Sequence, residues 1–191
     1  MKFSKSFLLI LGLALLANLA TAQTKTPAPA AKPKMVHQDE FYIVGIEART
    51  SAEKEMSGQG VIGLQWQKFM QEGVLQKIPN KADQNVYAVY TDFANKRAGE
   101  YSIVIGARVT DKSKVPEGLV LKTIPAGNYA IFPTEKGPAW EVIPAAWQRI
   151  AEAEDKGELG STRTYQADYE VYDGQAMDAY SWQAEIHVGV K

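Results

Sequence analysis

The sequence predicts an α+β fold in which two β-α-β-β modules join into one antiparallel sheet, with two helices on one face and a central cleft. Three observations carry this. Trp66-Gln67-Lys68-Phe69 recurs as Trp147-Gln148-Arg149-Ile150, Ala88-Val89-Tyr90-Thr91 as Glu170-Val171-Tyr172-Asp173, and YSIVIG (101–106) as AEIHVG (184–189). The offsets are 81, 82 and 83 residues, in the same order along the chain. A repeat of that length marks a duplicated supersecondary unit, and two such units bury each other's apolar faces.

The elements follow in order. EFYIVGIEART (40–50) is rich in β-branched and aromatic residues and reads as a strand. Residues 58–73 bring Val61, Leu64, Trp66, Phe69 and Met70 close to helical spacing. VYAVYTDF (86–93) and YSIVIGARV (101–109) then form a hairpin across ANKRAGE, closing a first repeat over about 38–110. In the second repeat, over about 117–191, GLVLKTIPAGNYAIFPTEK (118–136) is a strand interrupted near Pro125-Ala126-Gly127. A helix runs from about Glu141 or Pro144 to Lys156 and ends at Gly157. YQADYEVYD (165–173) and SWQAEIHVGV (181–190) are the closing strands. Two helices laid side by side on a sheet leave a groove over the middle strands, a usual place for a small ligand.

Residues 1–22 read as a signal peptide. Lys2 and Lys5 precede the apolar run FLLILGLALL (7–16), and Ala20-Thr21-Ala22 supplies small residues for cleavage before Gln23. The run is too short to span a bilayer, and no other long apolar stretch follows, so no integral membrane segment is expected after cleavage. QTKTPAPAAKPK (23–34) opens a Pro/Ala/Lys-rich tether over 23–35, and the domain occupies 36–191. The expected location is periplasmic or secreted.

Without the two leader lysines the chain carries 19 basic and 22 acidic residues. No basic run is present, and nucleic acid is not an expected partner, because phosphate binding needs clustered cations. Cysteine is absent, which excludes thiol catalysis and cysteine–metal sites. His37 and His187 are the only histidines and do not form a metal-ligand pattern. Nucleophile-elbow, phosphate-loop and zinc-protease motifs are missing too, so no cofactor is expected.

The second half resembles the GyrI-like family, the effector-binding domain of AraC-type activators. TIPAGNYAIFPTEKGP (123–138), the tryptophan-bearing helix, YEVYD (169–173) and AEIHVGV (184–190) carry the resemblance in order. Where the family pattern often closes on Ile-Pro-Val, this chain has His187-Val188-Gly189-Val190. The resemblance implies duplicated modules around an aromatic-lined pocket whose buried glutamate meets flat cations. Matched residue by residue, that acid is Glu170, with Tyr172 two positions on, and the acid of the closing strand is Glu185.

Alternation places Asp168, Glu170 and Tyr172 on one face of their strand. A lone strand glutamate ordinarily faces water, since Glu is rarely buried unpaired. Its repeat partner is Ala88, and that asymmetry, with the resemblance, points instead to a pocket acid. Candidate ligand-binding residues are Glu170, Tyr172, Tyr90, Trp140, Trp147, Trp66 and Glu185. Trp66 and Trp147 hold matching helix positions, which also suits core packing, whereas Trp140 and Trp182 find no counterpart in the first half. The expected function is binding of an amphipathic cationic or aromatic small molecule between the repeats. The alternatives are a hydrolase of small electrophiles, using Glu170 as base with Glu185 and Tyr172, and an envelope interaction module.

Overall fold

The structure is a computed structural model, and it describes residues 33–174, 178 and 180–191. The leader and most of the tether lie outside the described residues. The first repeat comprises β1 (Lys34–Gln38), β2 (Phe41–Ser51), α1 (Ala52–Met56), α2 (Ile62–Gln71), α3 (Val74–Lys77), β3 (Val86–Thr91) and β4 (Glu100–Val109). The second comprises β5 (Val120–Ile124), β6 (Gly127–Pro133), α4 (Ala139–Lys156), β7 (Arg163–Tyr172) and β8 (Ala184–Val190). All eight strands form one antiparallel sheet, in the order β1-β6-β8-β7-β3-β4-β2-β5.

The interruption at Pro125-Ala126 does more than bend a strand. β5 lies at one edge of the sheet and pairs with β2, while β6 lies beside the other edge and pairs with β8. Six strand spacings measure roughly 29 Å in a flat sheet. The three Cα steps from Ile124 to Gly127 reach about 11 Å. The sheet therefore curls until its edges approach. The link from β1 to β2 across Asp39 and Glu40 does the same on the first repeat. β1 begins at Lys34, inside the stretch that composition assigns to the tether. Its five residues carry little strand signal, because only Val36 packs against a buried cluster.

Phe41, Ile43, Tyr87, Val89, Val104, Ile124, Tyr129 and Tyr169 fill the helix-free face of the curl. The opposite face carries the helices, with Val44, Ile46, Ala88, Tyr90, Ile103, Ile105 and Tyr172 beneath α2 and Ile186 and Val188 beneath α4. The predicted helix over 58–73 starts late, at Ile62. Gly58 at φ +79° takes a conformation that ends α1 and keeps the chain from continuing as one helix. Gly157 closes α4 in the left-handed region, at φ 72°.

The pairing defines the pseudo-two-fold. In β3 and β7, Val86 faces Tyr172, Tyr90 faces Asp168, and Ala88 faces Glu170. An offset of 82 maps this ladder onto itself, so the axis runs through the Ala88–Glu170 pair. For β4 and β8 the ladder gives 81, since Tyr87 pairs with Gly106 and Tyr169 with His187. The offset of 83 read from YSIVIG and AEIHVG is two residues too long. Glu185 therefore answers Val104, and Ser102 is answered by Gln183. A two-residue slip leaves every side chain on its face, so alternation could not expose it.

Candidate functional site

Glu170 sits at the centre of the sheet, on the helix face, and is 1% exposed. Tyr90 Oη donates to its Oε1 at 2.8 Å and Tyr172 Oη to its Oε2 at 2.6 Å. The two tyrosines are equivalents across the axis, so the hydroxyls reach the carboxylate from opposite sides. A third donor comes from above: Trp147 Nε1, on α4, lies 2.5 Å from Oε1. Three of roughly four acceptor positions of the carboxylate are thus used. None of the three donors carries a positive charge.

Burial pushes the Glu170 carboxyl above its usual range, while the hydrogen bonds from Tyr172, Trp147 and Tyr90 pull it back. Both tyrosine hydroxyls are held well above their ordinary value, first by burial and then by the neighbouring carboxylate. Tyr90 and Tyr172 therefore stay protonated and act as donors.

An aromatic cage surrounds the acid on both sides. On one side Tyr90 packs edge-on against Trp147 at 5.0 Å and against Tyr101 at 5.7 Å. On the other, Tyr172 packs against Trp66 at 5.1 Å and Trp182 at 5.0 Å. The structure thus gathers Glu170, Tyr172, Tyr90, Trp147 and Trp66. It does not gather the other two candidates. Trp140 is 56% exposed and packs on Tyr180, away from the cage. The Glu185 side chain is 61% exposed on the opposite sheet face, 3.5 Å from His187 Nε2, so it does not form an acid pair with Glu170. Sequence reasoning missed Tyr101 and set Trp182 aside as unmatched. Trp182 packs on Tyr172 as Tyr101 packs on Tyr90, a counterpart that the two-residue slip concealed.

Trp182 Nε1 is buried without an acceptor. A depression of about 420 Å³ opens at the β7–β8 end of the cage, lined by Tyr172 and Trp182 with Lys136, Asp173 and Gln183, and Glu185 stands at its rim rather than at Glu170.

Two residues from Glu170, on the same face of β7, Asp168 is also fully buried. It has a built-in cation: Arg163 donates to Asp168 Oδ2 from Nε at 3.1 Å and Nη2 at 2.7 Å. The Gly189 amide adds 2.8 Å to Oδ1, and Arg163 also holds Glu154 on α4 at 3.1 Å. Glu154 accepts from Tyr165 as well. An irregular register between Arg163 and Asp168 lets the guanidinium fold back on its own strand. Burial raises the Asp168 carboxyl and Arg163 opposes the rise. The guanidinium also lies 5.7 Å from the Trp147 ring centre and 4.5 Å from that of Tyr165.

No group of three or more His, Cys, Asp or Glu among the described residues could hold a metal. Nor is any helix among them long and apolar enough to cross a membrane.

The curled, duplicated α+β sheet is the fold of the GyrI-like effector-binding domains. The chain belongs to the family described as integron-associated effector binding protein, whose model matches residues 34–190. It is 26% identical over 158 residues to YobU of Bacillus subtilis (strain 168), covering 82% of this chain and 96% of that protein. Among solved structures it is similar to the integron cassette protein VCH_CASS2 of Vibrio cholerae, with a TM-score of 0.66 and 21% identity over 83% of this chain and 95% of that one. It is similar too to SAV2435, solved bound to tetraphenylphosphonium, with a TM-score of 0.63 and 19% identity over 84% and 94%. At those identities the two structures speak for the fold.

Proposed function

We propose that this domain binds a lipophilic organic cation, held at Glu170 between α2 and α4. The observation that carries the reading is the contrast between the two buried acids of β7. Asp168 is neutralised by Arg163, whereas Glu170 meets only neutral donors among the described residues. A buried carboxylate without a counter-charge is costly, and a ligand cation removes that cost. The rings around it add cation–π attraction of about 0.5–2 kcal/mol each. Tyr90 and Tyr172 stand on strands and keep their bonds. Trp147 stands on a helix, and its N–H holds the place that the cation takes. A relative solved with tetraphenylphosphonium supports the same ligand chemistry.

The leader pattern in 1–22 supports export, so that the ligand is met in the periplasm or outside the cell. A mature N-terminus at Gln23, found by N-terminal sequencing of the exported protein, is the expected result.

The test is a tryptophan-fluorescence titration with tetraphenylphosphonium and, as a neutral comparison, triphenylphosphine oxide. Glu170→Gln weakens the cation about 100-fold, the loss expected when one partner of a buried charge pair goes. It leaves the neutral compound nearly unchanged. Equal effects on both compounds, or none on either, would sink the reading.

A further inference from the structure

We infer that the preferred ligand carries its positive charge at its centre, with an aromatic group on either side. The inference rests on the cation reading of Glu170 and goes on to name the ligand class.

The carboxylate lies on the pseudo-two-fold, opposite Ala88, and is the single acid of that central pair. Equivalent tyrosines bind its two oxygens from opposite sides. Behind each tyrosine stands a helix tryptophan and one further ring: Trp147 and Tyr101 behind Tyr90, Trp66 and Trp182 behind Tyr172. The ring separations on the two sides run from 5.0 to 5.7 Å, so each side carries a comparable set of rings, and the depression adds open space on the Tyr172 side. A cation at the carboxylate therefore has one aromatic group of the cage to its left and one to its right. A ligand charged at one end fills one of these and leaves the other unused. A ligand charged in the middle fills both, and cation–π attraction acts only on rings within about 6 Å of the charge.

Two isomeric cations of one formula and one charge separate the cases. Dibenzyldimethylammonium has a central nitrogen between two aryl arms; (biphenyl-4-ylmethyl)trimethylammonium has the same rings on one side of it. Dibenzyldimethylammonium binds about tenfold tighter, the equivalent of one further aromatic contact. Trp66→Leu and, separately, Trp182→Leu shrink that gap to about twofold, because each removes a ring from the same side. Should Trp66→Leu fail to fold, judged by its melting curve, Trp182→Leu at the rim of the depression supplies the comparison. Equal affinities, a preference for the biphenyl isomer, or a gap that survives both substitutions overturns the inference and leaves the cation reading standing. If neither isomer binds, or if both bind Glu170→Gln as well as the unsubstituted protein, the cation reading falls and takes the inference with it.

Discussion

The two halves of the domain share a backbone plan and differ in where they bury charge. In the first half Val86 and Ala88 stand where the second half has Asp168 and Glu170. Lys81, bridged to Val109, stands where Arg163 pairs with Val190. Lys81 is exposed and donates to the carbonyls of Leu75 and Ile78, which tidies the end of α3. Arg163 is enclosed and serves Asp168 and Glu154. The aromatic cage, by contrast, is nearly the same on both sides. Duplication alone supplies a symmetric apolar cleft, and a few changes in one copy give it a charge. Of the two acids that appear there, only Asp168 receives a cation from the described residues.

The largest effect should come from breaking the internal pair. Arg163→Met leaves Asp168 buried and unpaired, costing about 3–5 kcal/mol in a thermal or urea melt. Asp168→Val in the same chain rebuilds the first-half pattern and returns most of the loss. Lys81→Met costs under about 1 kcal/mol, as expected for an exposed cation. Comparable losses from Arg163→Met and Lys81→Met would show that the halves do not differ in this way. Next comes an exchange across the axis. Glu170→Ala alone weakens tetraphenylphosphonium about 100-fold. Ala88→Glu added to it restores binding to within about tenfold, because Tyr90 and Tyr172 reach the axis from both sides. No recovery in the titration would mean that Trp147, which has no matching bond on the Trp66 side, matters more than the symmetry.

Much of this was legible in the chain. The repeat, the helix positions of Trp66 and Trp147, and the face shared by Glu170 and Tyr172 all follow from local pattern. What was not legible depends on pairing between distant segments. Glu185 enters the candidate site through the family resemblance, as the acid of the closing strand, yet the ladder puts Glu170 opposite Ile186 and turns Glu185 to the other face. Tyr101 and Trp182 were separated by the same two-residue slip. Arg163 and Asp168 stand five residues apart, a spacing that joins no face of a regular strand, and only the irregularity in β7 brings them together. Burial of Glu170 could not be read from its neighbours at all. It is set by the helices that cover the sheet centre.

Smaller effects test the unpaired acid through pH. The Glu170 carboxyl is raised above its unfolded value by burial, so the proton binds the folded form more tightly than the unfolded one. Stability from this group is present at low pH and declines as pH rises through the raised value. Asp168, also raised, and His187, lowered by burial, add their own slopes over the same range. The difference between the urea-unfolding curves of the unsubstituted protein and Glu170→Gln isolates the one group. Glu170→Gln gains stability relative to the unsubstituted protein as pH climbs from 4 towards 7. Saturating tetraphenylphosphonium flattens that difference, since a bound cation favours the ionised acid. A difference that is independent of pH would mean that the carboxylate is as well solvated in the cage as in the unfolded chain.

The smallest effect is expected at Glu185, the acid that the sequence placed beside Glu170 and the fold does not. Its side chain is mostly exposed and on the far face of the sheet, where water and salt screen it. Glu185→Gln should therefore change tetraphenylphosphonium affinity by less than about twofold at physiological salt. Glu185 lies 3.5 Å from Nε2 of His187, whose ring is buried in a stack on Tyr169 with ring centres 4.5 Å apart. Burial lowers the imidazole while Glu185 opposes the shift, so the substitution lowers it further. The imidazole titration followed by NMR is thus the readout that Glu185→Gln moves. A large loss of cation affinity from this substitution would put a second acid in the site and end the contrast between one charged half and one neutral one.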